Sequence, residues 1–220
     1  MKLYCFGESG NAYKAALTME LSNVKWEPMF VDFFKGEARS EAYKKINPMG
    51  EVPTLVTNDE ETLTQSGAIQ QYIVDKTGKL GGVSENKYEV LRWVLWDNHK
   101  MSSQAGLLRF LSNFLPEEKR PKEAMNFLNG RLQIAYKVLD DALSSSDWLV
   151  GDSISVADIS CCGYLFYEEP FGFNRKEWDN INSWLTRISQ QPKWKHPYDL
   201  MKRAYTCLLY TSDAADELRS

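Results

Sequence analysis

The hydrophobic period changes character once along this chain, and that change limits the fold more than any other feature. Up to about residue 77, short alternating runs trade places with segments of helical spacing. After the glycine-rich stretch "GKLGGVSENK" the alternation stops and helical spacing alone remains. "KLYCF" alternates over a strand's length, and "NAYKAALTMELS" gathers Ala12, Ala15, Ala16, Met19 and Leu21 as a helix packed close on a sheet. "KWEPMFVDFF" reads as a second strand, with Pro28 marking an edge or an irregular start. "RSEAYKKI" reads as a short helix stopped by Asn47-Pro48. "VPTLVT" and "ETLTQ", around the turn "NDE", form a hairpin signal. "SGAIQQYIVDKTG" is a helix with Ala68, Ile69, Tyr72 and Ile73 facing inward and Gly78 as its stop.

The expected architecture is therefore an α/β domain of order βαβαββα over residues 1–77, a linker over 78–86 and an all-α domain over 87–206. "YEVLRWVLWDNHKMSSQAGLLRFL", "EAMNFLNGRLQIAYKVLDDALSS", "SVADISCCGYLFYEE" and "KEWDNINSWLTRISQQ" supply its helices, and Pro192 ends the last. A chain of 220 residues with 43% hydrophobic content can fill two modest cores.

The same composition excludes several function classes. A net charge of −4 with mixed signs offers no basic stripe, so no nucleic-acid partner is expected. No apolar stretch approaches the roughly 20 residues of a membrane span, and "MKLYCFGES" lacks a signal peptide's apolar run, so a cytoplasmic protein is expected. The four cysteines show no metal-ligand spacing and read as small buried apolar residues in a reducing compartment. His99 and His196 are too far apart in sequence to suggest a metal site, and none is expected.

Four short motifs could carry chemistry. Ser9 follows the first strand and opens the first helix. As a helix cap it needs no further role. As a hydroxyl beside free helix N–H groups and a positive dipole end it could also stabilise a substrate thiolate. No base lies near it in sequence, so it would donate rather than attack. Pro53 stands where the third strand should begin. A cis Val52–Pro53 bond, a minority state of such bonds, would turn the Val52 N–H and C=O outward to pair with an extended peptide. Gln65 and Ser66 precede the third helix, either as a cap or as a carboxylate site. Ser155 and Asp158, in "SVAD", read as a capping pair that nucleates a buried helix and does no chemistry.

Taken in order, "LYCFGES", "NPMGEVPTL", "TQSGAIQQYI" and "WLVGDSISVADIS" resemble the glutathione transferase family, in a serine-type or nu-class-like bacterial cytosolic form, over roughly residues 1–200. The resemblance implies a thioredoxin-like first domain, a helical second domain, a homodimer and a cis bond before Pro53. It implies glutathione as co-substrate. Val52 would pair with the backbone of its cysteine, Gln65 and Ser66 would hold the γ-glutamyl group, and Ser9 would donate to the thiolate. Lys35 or Arg39 would reach the glycyl carboxylate. "Ser9-Gly10-Asn11" also resembles the Thr-Pro-Asn run of nu-class members with disulfide-bond reductase activity, which makes Asn11 a second thiolate donor. Cys5 lies too early to match a cysteine-type class, and Tyr4, within the strand, is a weak candidate for a tyrosine-type activator. The small electrophile is expected between the domains, near Trp96, His99, Ser103, Leu107 and Phe110. A glutathione-dependent reductase and a non-catalytic binding module of the same fold remain open as alternatives. Residues 207–220, from "CLLYTSDAADE" on, resemble the translation of a transposase adapter used in sequencing libraries and are set apart from the fold.

Overall fold

The computed structural model describes residues 1–205. The expectation for residues 207–220 lies outside the described residues, as does residue 206 of the helical domain. The first domain is a four-stranded sheet of order β2-β1-β3-β4, from β1 (Lys2–Cys5), β2 (Glu27–Phe30), β3 (Thr54–Val56) and β4 (Thr62–Thr64). β1 runs parallel to β2 and antiparallel to β3, and β3 and β4 form the expected hairpin. Alternation along β1 sorts its side chains between two cores. Leu3 and Cys5 join the main core with α1 (Gly10–Ser22) and α3 (Ser66–Thr77). Tyr4 faces the other side, against a small cluster of Val31, Ala38 and Tyr43 beside α2 (Glu41–Lys44). This thioredoxin-like arrangement is the βαβαββα order read from the sequence.

Two segments depart from that reading. "KWEPMFVDFF" is strand only to Phe30; the Asp32 carboxylate then accepts from the Lys35 amide and caps a tight turn over Phe33–Lys35. A local cap outcompetes the ladder there. β3 starts at Thr54, after a cis Val52–Pro53 bond, so the proline precedes the strand instead of interrupting it.

The helical domain contains α4 (Lys87–Asp97), α5 (Ser103–Asn113), α6 (Lys122–Ala142), α7 (Val156–Cys162) and α8 (Asp179–Ser189). A short α9 (Pro197–Leu200), not anticipated from the sequence, follows. The long helix expected across residues 88–111 is divided by a wide π-turn at Asn98–Ser102. α7 stops at Cys162, earlier than its pattern suggested, where Gly163 lets Lys14 pack so closely that a Cβ would lie 2.7 Å from Lys14 Cε. Ser155 and Asp158 form the expected reciprocal cap of α7. The Asp158 carboxylate also accepts from the Leu149 amide and the Trp184 indole, at 3.0 and 2.9 Å.

One continuous core runs through both domains. At their junction Lys14 of α1 pairs with Asp97 of α4, both fully buried, and Ser102 and Ser160 donate to the same carboxylate at 2.8 and 2.7 Å. Such a pair contributes little net stability when intact, but removing one partner strands a buried charge. Cys5, Cys161 and Cys162 are buried free thiols, as read from the sequence, and burial pushes their pKa values upward, that of Cys5 to about 12.

Candidate active site

The turn between β1 and α1 is short and is held mainly from outside its own domain. The Gly7 amide donates to the Lys202 carbonyl, and the Tyr167 hydroxyl donates to the Gly7 carbonyl, each at 2.7 Å. Arg109 Nη1 donates to the Glu8 carbonyl at 2.7 Å. The Glu8 carboxylate accepts from the Ala204 and Tyr205 amides, at 2.9 and 3.0 Å. Arg109 is itself buried, stacked 4.0 Å over the Tyr167 ring and paired with Glu169 at 2.9 Å. Burial opposes its charge, but Tyr167, Tyr198 and Glu169 hold the guanidinium ionised.

This loop delivers Ser9 to the mouth of α1. The Ser9 Oγ accepts from the Ala12 amide at 3.1 Å, so Ser9 is a true N-cap. A hydroxyl that accepts in this way keeps its proton for another partner, and among the described residues it donates to none. Asn11 is the second residue of the helix; its Oδ1 is buried without a partner, and no described hydrogen bond uses its amide nitrogen.

Ser9 and Asn11 face a cavity of about 510 Å³ between the two domains. Val52, Pro53, Gln65 and Ser66 line it as well, so six of the residues expected at the site are brought together. No backbone hydrogen bond among the described residues uses the Val52 amide or carbonyl. Gln65, not Ser66, is the N-cap of α3, and it does so with φ +66°, a left-handed conformation that costs a non-glycine residue on the order of 1–3 kcal/mol. Ser66 is the first residue of α3; it is buried, and its hydroxyl takes no described partner. The α3 N-terminus thus presents unpaired donors to the cavity. Gln65 Nε2 donates to Glu51 at 3.1 Å.

Lys35 and Arg39 do not line the cavity. Both are exposed, and Lys35 is paired with Asp32 at 2.9 Å. On the helical side Ser103 and Phe110 reach the cavity, while Trp96, His99 and Leu107 do not. The π-turn is the reason for Trp96 and His99; Leu107, on α5 beyond the turn, lies on that helix's exposed face. The turn changes the helical phase between α4 and α5, so that Ser102, Gly106, Arg109 and Phe110 face inward and a count from Trp96 points elsewhere. Trp96 packs edge-on against Trp93, at 5.0 Å between ring centres. Tyr4 does not line the cavity and packs against Tyr43 instead, at 5.9 Å.

The sequence reading missed Phe34, Arg109, Phe114 and Tyr164. Arg109 did leave a trace, as a lone cation inside the apolar run "LLRFL". Tyr164 left none, because "GYLFY" looks like any core segment.

Residues 1–75 match the glutathione S-transferase N-terminal domain family and residues 100–192 the C-terminal domain family. Glutathione S-transferase 2 of Schizosaccharomyces pombe is 27% identical, the match covering 92% of this chain and 96% of that protein. The disulfide-bond oxidoreductase YfcG of Escherichia coli is 24% identical, over 85% of this chain and 89% of its own. Among solved structures, a glutathione S-transferase from Pseudomonas fluorescens superposes with a TM-score of 0.82 at 29% identity, covering 89% of this chain and 98% of its own. A glutathione transferase from Phanerochaete chrysosporium with oxidized glutathione gives 0.80 at 25% identity, covering 90% and 93%. With both halves matched in order, and with a cleft between them at the start of α1, this chain belongs to the glutathione S-transferase family.

Proposed function

We propose that this protein binds glutathione, keeps its sulfur as the thiolate and adds it to small electrophiles. The observation that carries the reading is the convergence in one cleft of an uncommitted Ser9 proton, the Asn11 amide, the free Val52 backbone and the α3 N-terminus. The tripeptide lies along the open start of β3, and Val52 pairs with the backbone of its cysteine as an added strand would. Its γ-glutamyl carboxylate sits at Ser66 and the α3 N-terminus, with Gln65 beside it. The thiol loses its proton to solvent, Ser9 and Asn11 donate to the sulfur, and the thiolate forms a carbon–sulfur bond with an electrophile held against the helical domain.

A free thiol has a pKa near ~8.5, and lowering it by two units requires about 2.7 kcal/mol. One hydroxyl donor plus a helix terminus is of the right size to supply this. Apolar side chains exposed on α4 (Tyr88, Leu91, Leu95) and α6 (Phe127, Ile134, Val138) favour a homodimer.

Likeness to the Escherichia coli oxidoreductase favours a second reading, reduction of small disulfides by glutathione at the same donors. Turnover of a dinitro-activated aryl chloride, compared with a small model disulfide, decides between the two. Retention on immobilised glutathione with neither activity would point instead to a non-catalytic binding module.

A further inference from the structure

Glu8 stands immediately before Ser9, and both line the cavity, yet the Glu8 carboxylate is committed to the far end of the chain. Its side chain is 1% exposed. Besides the Ala204 and Tyr205 amides, the Arg203 guanidinium stands 3.5 Å from it. Arg203 also pairs with Glu169 at 3.2 Å; Glu169 pairs with Arg109, and Arg109 donates to the Glu8 carbonyl. Two acids and two arginines thus close a formally neutral circuit around the loop. The helix start does not need this carboxylate, because Ser9 caps α1 unaided. A negative charge beside a thiolate opposes ionisation of the sulfur. Two charge-assisted amide bonds and a guanidinium offset that charge here, and all three come from residues 203–205.

Resting on the thiolate reading above, we propose that Glu8 is a positioning residue through which the docked 203–205 segment sets the ionisation of the thiol held at Ser9. With the segment in place, the Glu8 charge is compensated. When the segment loses a donor, the carboxylate stays buried at the cavity with part of its charge exposed to the sulfur, and the thiolate is disfavoured. The effect is electrostatic and passes through one side chain. It is separate from two other contacts of the same stretch of chain. The Lys202 carbonyl holds the Gly7 amide, and the Tyr205 ring closes against Phe34 and Phe114. Those contacts bear on loop geometry and on the aromatic wall, and neither carries a charge. Ser9, Asn11 and the α3 N-terminus keep their places throughout.

A double-mutant cycle in the full chain tests this, with the thiolate absorbance of bound glutathione against pH as the readout. Arg203→Gln removes the cation. Ala204→Pro removes one amide donor and leaves Glu169 its partners. Each should raise the thiol pKa by about half a unit, which is about a threefold loss of rate below that pKa and none well above it. Glu8→Gln removes the charge and keeps an acceptor for the amides. Combined with it, neither segment variant should move the thiol pKa by more than about 0.2 unit. Should Ala204→Pro not fold, Arg203→Gln, at a half-exposed position, decides alone. Equal shifts with and without the Glu8 carboxylate would overturn the inference, because the segment would then act through loop geometry or through Glu169. No shift from the segment variants would overturn it as well. If glutathione bound to the wild-type protein ionises as the free thiol does, the thiolate reading fails and this inference fails with it. A lowered wild-type pKa whose response to the segment ignores Glu8 defeats this inference alone.

Discussion

Two serines cap helices in this molecule, and only one of them has anything left to give. Ser155, at the start of α7, accepts from the Ala157 amide and donates to Asp158 at 3.2 and 3.0 Å, and it is fully buried. Ser9, at the start of α1, makes the same kind of cap through the Ala12 amide, but its proton faces a cavity wall. In sequence the two differ in whether a Ser-x-x-Asp pattern follows the serine. The structural difference lies in the residue three positions on. Asp158 closes the reciprocal cap at α7, whereas Ala12 occupies that position in α1 and cannot. A cap left half-open at a cleft is a donor for a ligand; a closed one is a fold element.

The largest effect that would break this comparison belongs to the closed cap. Asp158→Ala leaves the Leu149 and Ser155 amides and the Trp184 indole without their acceptor. The expected loss is about 3 kcal/mol or more in denaturant unfolding, with the thiol pKa unmoved in whatever protein folds. A raised thiol pKa in that variant would show that the two caps are not separable. Next comes Ser9→Ala. It should raise the pKa of bound glutathione by one to two units, about 1.4 to 2.7 kcal/mol, and cost only about 1 kcal/mol of stability. Since the thiolate is the reactive form, the loss of rate should be largest below the wild-type pKa and shrink as pH rises through the variant's. A uniform loss at every pH would argue for a positioning role. Ser155→Ala should cost about 1 to 2 kcal/mol of stability and leave the pH profile of conjugation in place. The smallest effect is expected from Asn11→Ala, a thiol pKa rise of less than about one unit, because Asn11 would share the sulfur with Ser9 and is not the residue that caps the helix. Should it exceed the Ser9 effect, Asn11 becomes the principal donor.

The periodicity of the first 77 residues was enough to read the sheet, the hairpin and its three helices, since each element there is short, local and punctuated by glycine or proline. Local motifs singled out Ser9, Pro53 with Val52, and Gln65-Ser66; the resemblance added Asn11 and the expectation of one site, and all six line one cavity. The opposite wall was not legible. The π-turn at Asn98–Ser102 changes the phase of a helix whose apolar pattern looks continuous, so Trp96 and His99 were expected on a wall formed by Ser102, Gly106 and Arg109, and Leu107 of α5 faces away from it. Tyr164 and the 202–205 segment reach the site through contacts far apart in sequence, which no local pattern records. Lys35 and Arg39 were placed by the resemblance alone, and their side chains point to solvent.

The most direct measurement is the thiolate absorbance of bound glutathione as a function of pH, in the wild-type protein and in Ser9→Ala. Ionisation well below the free thiol's ~8.5 in the first, shifted up by one to two units in the second, is the predicted pair of curves. A wild-type curve that coincides with free glutathione, or a midpoint that neither Ser9→Ala nor Asn11→Ala moves, would contradict the account.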